Sequence, residues 1–239
     1  MSRLYCGACG WNYSDWRSRF YPDKLAQNKW LGYYAEHFDT VEINNSFYRL
    51  PEKRTFESWR DQSPDTFVFA VKASRYLTHI KKLKDPEEPL DRLLSHSAGL
   101  GAKRGPILYQ LPPRWRADVD RLEHFLKLLP KDVRSALEFR DNSWQTEEVW
   151  SLLERYSAAY CIMDHPGLPL HVKATADFSY IRMHYGSESE GGNYTNEQLS
   201  KWARRIEGLL KLGDVYVYFN NDQCAFAVEN AAALKRMLV

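Results

Sequence analysis

The sequence predicts a single fold class, an α/β chain forming one (β/α)8 barrel, on three observations. Eight short runs rich in Val, Ile, Tyr and Phe recur along the chain, and amphipathic segments separate most of them. The runs begin at residues 4, 40, 67, 107, 135, 158, 178 and 214, with a mean spacing of 30 residues, the length of one strand–helix unit. The whole chain is 239 residues long without a Gly/Ser-rich linker; it matches the ~250 residues of such a barrel, so 1–239 reads as one domain. An open doubly wound sheet is the alternative. Its dinucleotide-binding turn is missing, because Gly7-Ala8-Cys9-Gly10 does not supply Gly-x-Gly-x-x-Gly.

Taken in order, strand one covers 4–8, and the segment 28–38 sets Trp30, Leu31, Tyr34 and Phe38 at helical spacing. Strand two, 40–47, leads to a helix over 52–62 behind Pro51; strand three, 67–74, leads to a helix over 87–100 behind Pro86. Proline suits a helix entry because its missing N–H is not needed there. After strand four, 107–111, the segment 118–129 repeats Val119, Leu122, Phe125, Leu126 and Leu129 on one face and stops at Pro130. Strand five, 135–140, precedes a helix over 143–156 with Ser143 as its N-cap. Strand six, 158–164, is followed by irregularity: 165–176 is too proline-interrupted for a regular helix. Strand seven, 178–185, precedes a helix over 195–212 that opens on a Thr195/Gln198 capping box and ends at Gly213. Strand eight, 214–221, and a helix over 227–238 complete the chain.

Composition excludes several function classes. The net charge of +2 and 27% charged residues advertise neither a polyanion-binding domain nor a disordered tail. No run approaches the ~18 apolar residues of a membrane span and no secretory leader is visible, so the expectation is a cytoplasmic protein with no membrane partner. Four cysteines do not make a disulfide scaffold. Cys6-x-x-Cys9 lacks the second pair that a zinc site requires. Aromatics, at 14% with 15 Tyr and 8 Trp, are the excess to be explained.

In a barrel the last inward residues of each strand line the mouth where chemistry occurs. Those positions are polar here. Strand two offers Glu42 and Asn44; strand three, Lys72 and Ser74; strand four, Gln110; strand five, Glu138 and Arg140; strand six, Asp164. Strand seven offers Arg182 and His184, and strand eight Tyr218, Asn220 and Asn221. A purely structural barrel would carry Val, Ile and Leu there. Such a set either neutralises itself as a polar plug or binds a ligand, and the second reading is preferred because a plug must be complete to be tolerated.

These same residues lie in motifs that resemble a known family. They are Glu42-Ile43-Asn44-Asn45-Ser46-Phe47-Tyr48, Phe69-Ala70-Val71-Lys72-Ala73-Ser74 with Leu77-Thr78-His79, and Ile107-Leu108-Tyr109-Gln110-Leu111-Pro112-Pro113. Glu138-Phe139-Arg140 with Ser143-Trp144, Tyr180-Ile181-Arg182-Met183-His184 and Tyr216-Val217-Tyr218-Phe219-Asn220-Asn221 complete them. Together they resemble the YecE-like proteins, domain-of-unknown-function family 72, from Gly7 to the C-terminal helix. The resemblance implies a TIM-type barrel and no activity. Asp141, Cys9 and Ala225 depart from the family pattern, where His, Ser and Gly are expected.

The leading functional expectation is an enzyme acting on a small phosphorylated or otherwise anionic substrate, with Glu42, Lys72, Glu138 and His184 catalytic through general acid–base chemistry. Asn44, Tyr48, Ser74, His79, Gln110, Arg140, Asp164, Arg182, Tyr218, Asn220 and Asn221 are the expected substrate-binding residues. The reaction class and the oligomeric state stay open. Glu138→Gln is expected to fold and to lose activity. One alternative is non-catalytic binding of single-stranded nucleic acid or a nucleotide by the rim aromatics Trp11, Tyr13, Trp16, Phe47, Tyr48, Tyr76, Trp115 and Trp144, which alternate with arginines. Another is a metal-assisted phosphodiester hydrolase with Glu42, Glu138, Asp164, His184 and Asp222 around a divalent ion. No cofactor is predicted otherwise. A glycosidase pair and a Schiff-base role for Lys72 rank low, the latter because acidic neighbours should raise its pKa.

Overall fold

Period-two alternation along the strands divides small and aromatic side chains between the two sides of a tight interior. In the computed structural model, which describes residues 2–238, the strands are β1 (Leu4–Ala8), β2 (Thr40–Ile43), β3 (Val68–Lys72) and β4 (Arg104–Gln110), followed by β5 (Ser135–Glu138), β6 (Ala159–Asp164), β7 (Phe178–Met183) and β8 (Asp214–Phe219). They form one parallel eight-stranded sheet in the order β1-β8-β7-β6-β5-β4-β3-β2, the expected barrel. Met1 and Val239, the ends of the expected domain, lie outside the described residues. Inside the sheet, Ala70, Ala136 and Ala159 lie opposite Tyr180, Tyr216 and Tyr218. Large rings from β7 and β8 thus fill the space that β3, β5 and β6 leave empty. Three of the fifteen tyrosines are thus barrel filling. Outward residues such as Val41, Phe69, Ile107, Leu137, Ile162, Ile181 and Val217 pack under the helices.

Those helices are α1 (Trp30–His37), α2 (Asn45–Tyr48), α3 (Lys53–Asp61), α4 (Glu87–Ser97), α5 (Val119–Leu128), α6 (Glu147–Arg155), α7 (Asn196–Leu210) and α8 (Phe226–Leu238). The capping box opens α7 as expected, and 165–176 carries neither helix nor strand. Among the described residues no helix is long and apolar enough to cross a membrane.

Two expectations are corrected. Strand two ends at Ile43 rather than Phe47, because Asn44 already has helical dihedrals and the Ser46 hydroxyl bonds to the Ile43 and Lys72 carbonyls at 3.0 and 2.6 Å. Local side-chain bonding there outcompetes the ladder and turns the chain into α2. The helix after strand five starts at Glu147 with Thr146 as its cap. Ser143 instead bonds the Ala117 amide and Asp141 across a separate turn.

β1 and β2, the two edges of the sheet, meet without a regular ladder. The Tyr34 hydroxyl of α1 closes the seam: it accepts from the Ala8 amide at 2.8 Å and donates to the Thr40 carbonyl at 3.1 Å. One phenol replaces two missing ladder partners. Tyr34→Phe leaves both backbone groups buried and unpaired, so a loss of about 1–3 kcal/mol in urea unfolding is expected, and a loss below about 0.5 kcal/mol would show that the seam does not depend on the bridge.

Candidate functional site

Inward positions at the C-terminal ends of β2, β3, β4, β5 and β7 carry Glu42, Lys72, Gln110, Glu138 and Arg182, all buried. Arg182 sits between the two carboxylates, with Nη2 2.8 Å from Glu42 Oε1 and Nη1 2.8 Å from Glu138 Oε2. Glu138 Oε1 accepts from Gln110 Nε2 at 2.7 Å and pairs with Arg140. Glu42 Oε2 accepts from the Tyr180 hydroxyl at 2.7 Å. Burial opposes the ionisation of Glu138, yet the Arg182 and Arg140 guanidiniums outweigh it and hold the carboxyl well below the usual range.

The ring of His184 is the outer member of the cluster. Its Nε2 lies 3.1 Å from Arg140 Nη2 and its Nδ1 lies 3.2 Å from the Asn220 carboxamide. Arg140 has only protons to offer, so Nε2 accepts, while Nδ1 faces the Asn220 Nδ2 group, which also donates. Burial and the Arg182 charge push the imidazole well below its usual pKa. Asn220 also accepts from Arg182 at 3.2 Å.

Among the described residues Lys72 has no carboxylate partner. Its ammonium rests over the Phe47 ring, 4.4 Å from the centroid. Burial first, then Arg182, lower its pKa against the opposing pull of Glu42 and Glu138. The expectation that acidic neighbours raise it is therefore reversed, because burial, with Arg182 beside it, outweighs the pull of Glu42 and Glu138. His79 stands edge-on to the same Phe47 ring at 4.9 Å and bonds Thr78. Burial, Lys72 and Arg75 bring its pKa down to about 4.

The other expected residues divide. Asn44 reaches the Cys9 carbonyl at 3.3 Å beside the cluster. Ser74 and Tyr48 line a neighbouring groove on the rim, where Tyr48 is 82% exposed. Three residues are not brought to the mouth. Asp164 turns outward and accepts from the Trp202 indole at 2.7 Å, anchoring α7. Tyr218 lies deeper in the barrel, its hydroxyl 2.7 Å from Thr40 Oγ1. Asn221 bonds the Gly192 carbonyl and Asn230, tying a loop to α8. Each sits one strand residue out of phase with the site or one layer below it.

The expected metal set is not assembled: Arg182 occupies the space between Glu42 and Glu138, and Asp164 faces away. Among the described residues no three His, Cys, Asp or Glu side chains gather as a ligand group. The aromatic rim is largely interior. Trp16 and Trp144 are fully buried, with their indole N–H groups on the Asp222 and Trp115 carbonyls at 2.8 and 2.7 Å, and Trp115 and Phe47 are buried too.

Sequence reasoning missed Tyr180, which the inward period two residues before Arg182 would have found, and Cys9, whose Sγ lies 3.4 Å from Arg182 Nη2. Asp222, expected only as a ligand of the metal alternative, is a carboxyl that burial raises to about 7.

Comparison with known proteins agrees with this architecture. The family described as "Protein of unknown function DUF72" matches residues 5–239. The UPF0759 protein YunF of Bacillus subtilis (strain 168) is 27% identical over 98% of this chain and 94% of its own length. The UPF0759 protein YecE of Escherichia coli O157:H7 is 28% identical over 95% of this chain and 89% of its own. The crystal structure of a DUF72 family protein from Thermotoga maritima MSB8 matches with a TM-score of 0.89 at 28% identity, covering 99% of both chains. With its eight parallel strands and a family match spanning nearly every residue, the chain belongs to the DUF72 family.

Proposed function

We propose that the chain is an enzyme that holds a small anionic substrate, phosphorylated or carboxylate-bearing, over the barrel mouth and moves a proton on it with the Lys72 amine. One observation carries this reading: the charge left over in the cluster. Arg182 and Arg140 answer both carboxylates, so Lys72 adds a cation that pairs with no carboxylate among the described residues. A barrel built for stability alone would place a hydrocarbon there. The lowered pKa of the amine brings a base closer to neutral pH. Glu42 and Glu138 then act as positioning residues that hold Arg182 and Arg140, and Arg140 with His184 faces the bound anion. Of the aromatics expected for the nucleic-acid alternative, Trp16, Phe47, Trp115 and Trp144 are buried, which leaves Tyr48 and Tyr76, 82% and 50% exposed, and the half-buried Trp11 and Tyr13 as stacking rings.

Lys72→Met tests the reading, because it retains the stem against Phe47 and deletes the charge. The variant should fold with an unchanged or raised Tm, since an unpaired buried cation is removed. Calorimetric titration of inorganic phosphate should show saturable binding to the wild type and at least about tenfold weaker binding to the variant, near 1.4 kcal/mol. In deuterated water, NMR should show a deuteron entering a phosphorylated aldose or ketose only with the wild type. Equal phosphate binding by both proteins would overturn the proposal.

A further inference from the structure

Outside the charged mouth, on the face of the first two strand–helix units, lies a groove of about 850 Å³ between the loop after β1, the start of α1, α2 and α3. None of its lining residues is charged, although charged residues make up 27% of the chain. Six of the chain's sixteen Asn and Gln residues line it instead: Asn12, Gln27, Asn28, Asn44, Asn45 and Gln62. The remaining wall is mostly aromatic, from Trp11, Tyr13, Tyr48 and Trp59.

We infer that this groove is a binding site for a neutral saccharide, distinct from the anion site and independent of it. Each carboxamide offers donors and an acceptor together, which matches hydroxyl groups that both donate and accept. The negative face of an aromatic ring attracts the polarised C–H bonds of a sugar face. Asn44 lines the groove, and its buried Oδ1 accepts no hydrogen bond from any described residue, which leaves a polar group unanswered at the groove wall. The two indoles stand at 86° with centroids 5.2 Å apart, so they form a corner. A corner receives a puckered ring, whereas a planar nucleobase needs a parallel slot. The volume lies in the range of small-molecule sites, ~300–1,000 Å³.

Tryptophan fluorescence of the full chain, titrated with maltose, cellobiose or methyl α-D-glucoside, tests the inference through Trp11 and Trp59. A saturable change is expected that is insensitive to salt and not displaced by inorganic phosphate. Asn28→Ala, an exposed side chain whose loss leaves the fold intact, should weaken it at least about fivefold, and Tyr48→Ala at least about tenfold. Phosphate binding should persist in Asn28→Ala. Three results would each overturn the inference: no saturable change with any of the three saccharides, displacement by phosphate, or saturation by adenosine in place of the sugars.

Discussion

Glu138→Gln should lose about 3–5 kcal/mol of stability, because it neutralises one member of a buried charge network and leaves guanidinium charge uncompensated. Glu138 is completely buried and receives Arg182, Arg140 and Gln110. The expectation that this variant folds undisturbed gives way to the geometry: a carboxamide keeps the shape, loses the charge, and offers an N–H group to donors that already have protons. Urea unfolding of the variant and the wild type measures the difference, and a loss under about 1 kcal/mol would mean that the pairs contribute little. The pH dependence has a definite sign. A carboxyl held well below its ordinary value contributes stability that is fully present above the unfolded value of about 4.3 and is lost as pH falls toward the folded one. The gap between variant and wild type should therefore be constant above about pH 5 and narrow in acid.

Gly7→Ala should cost roughly 3 kcal/mol, at the upper end of overpacking. A Cβ on Gly7 would run into the Thr40 carbonyl and come within 2.8 Å of the Tyr34 hydroxyl, the two groups that close the β1–β2 seam. The clash is with backbone, so no side-chain rotation relieves it. Hydrogen exchange at the Ala8 amide should accelerate along with the drop in Tm, since that amide donates to Tyr34. Gly32→Ala is the control. It lies inside α1 with its nearest obstacle 4.0 Å away, so it should stabilise by about 0.5–1 kcal/mol through helix propensity. If Gly7→Ala behaved like the control, the seam would have slack that its geometry denies.

Much of the candidate site was legible because strand alternation is a local property. Glu42, Lys72, Glu138 and Arg182 were expected on inward faces from a count of two, and all four are buried in one cluster. Polarity at a strand end predicts Asp164 in the site, but its phase along β6 points it at Trp202. Asn221 follows Asn220 by one residue and accordingly faces Gly192 and α8. The aromatics near strand ends gave no signal separating rim from core, because a Trp in a loop has the same sequence signature whether or not the next helix covers it. Trp144 is covered by Trp115 and Phe139.

The sequence by itself determined the barrel, the order of its elements and the set of charges that end its strands, since each follows from periodicity and punctuation within about thirty residues. Only the tertiary structure decided how those charges are shared. Arg182 meets Glu42 across 140 residues of chain and Glu138 across 44, and nothing local says that one guanidinium serves both. That closure satisfies the carboxylates with arginine and leaves Lys72 over Phe47. Charge pairing is a property of distances in space, and the sheet sets those distances when Tyr34 joins its two edges.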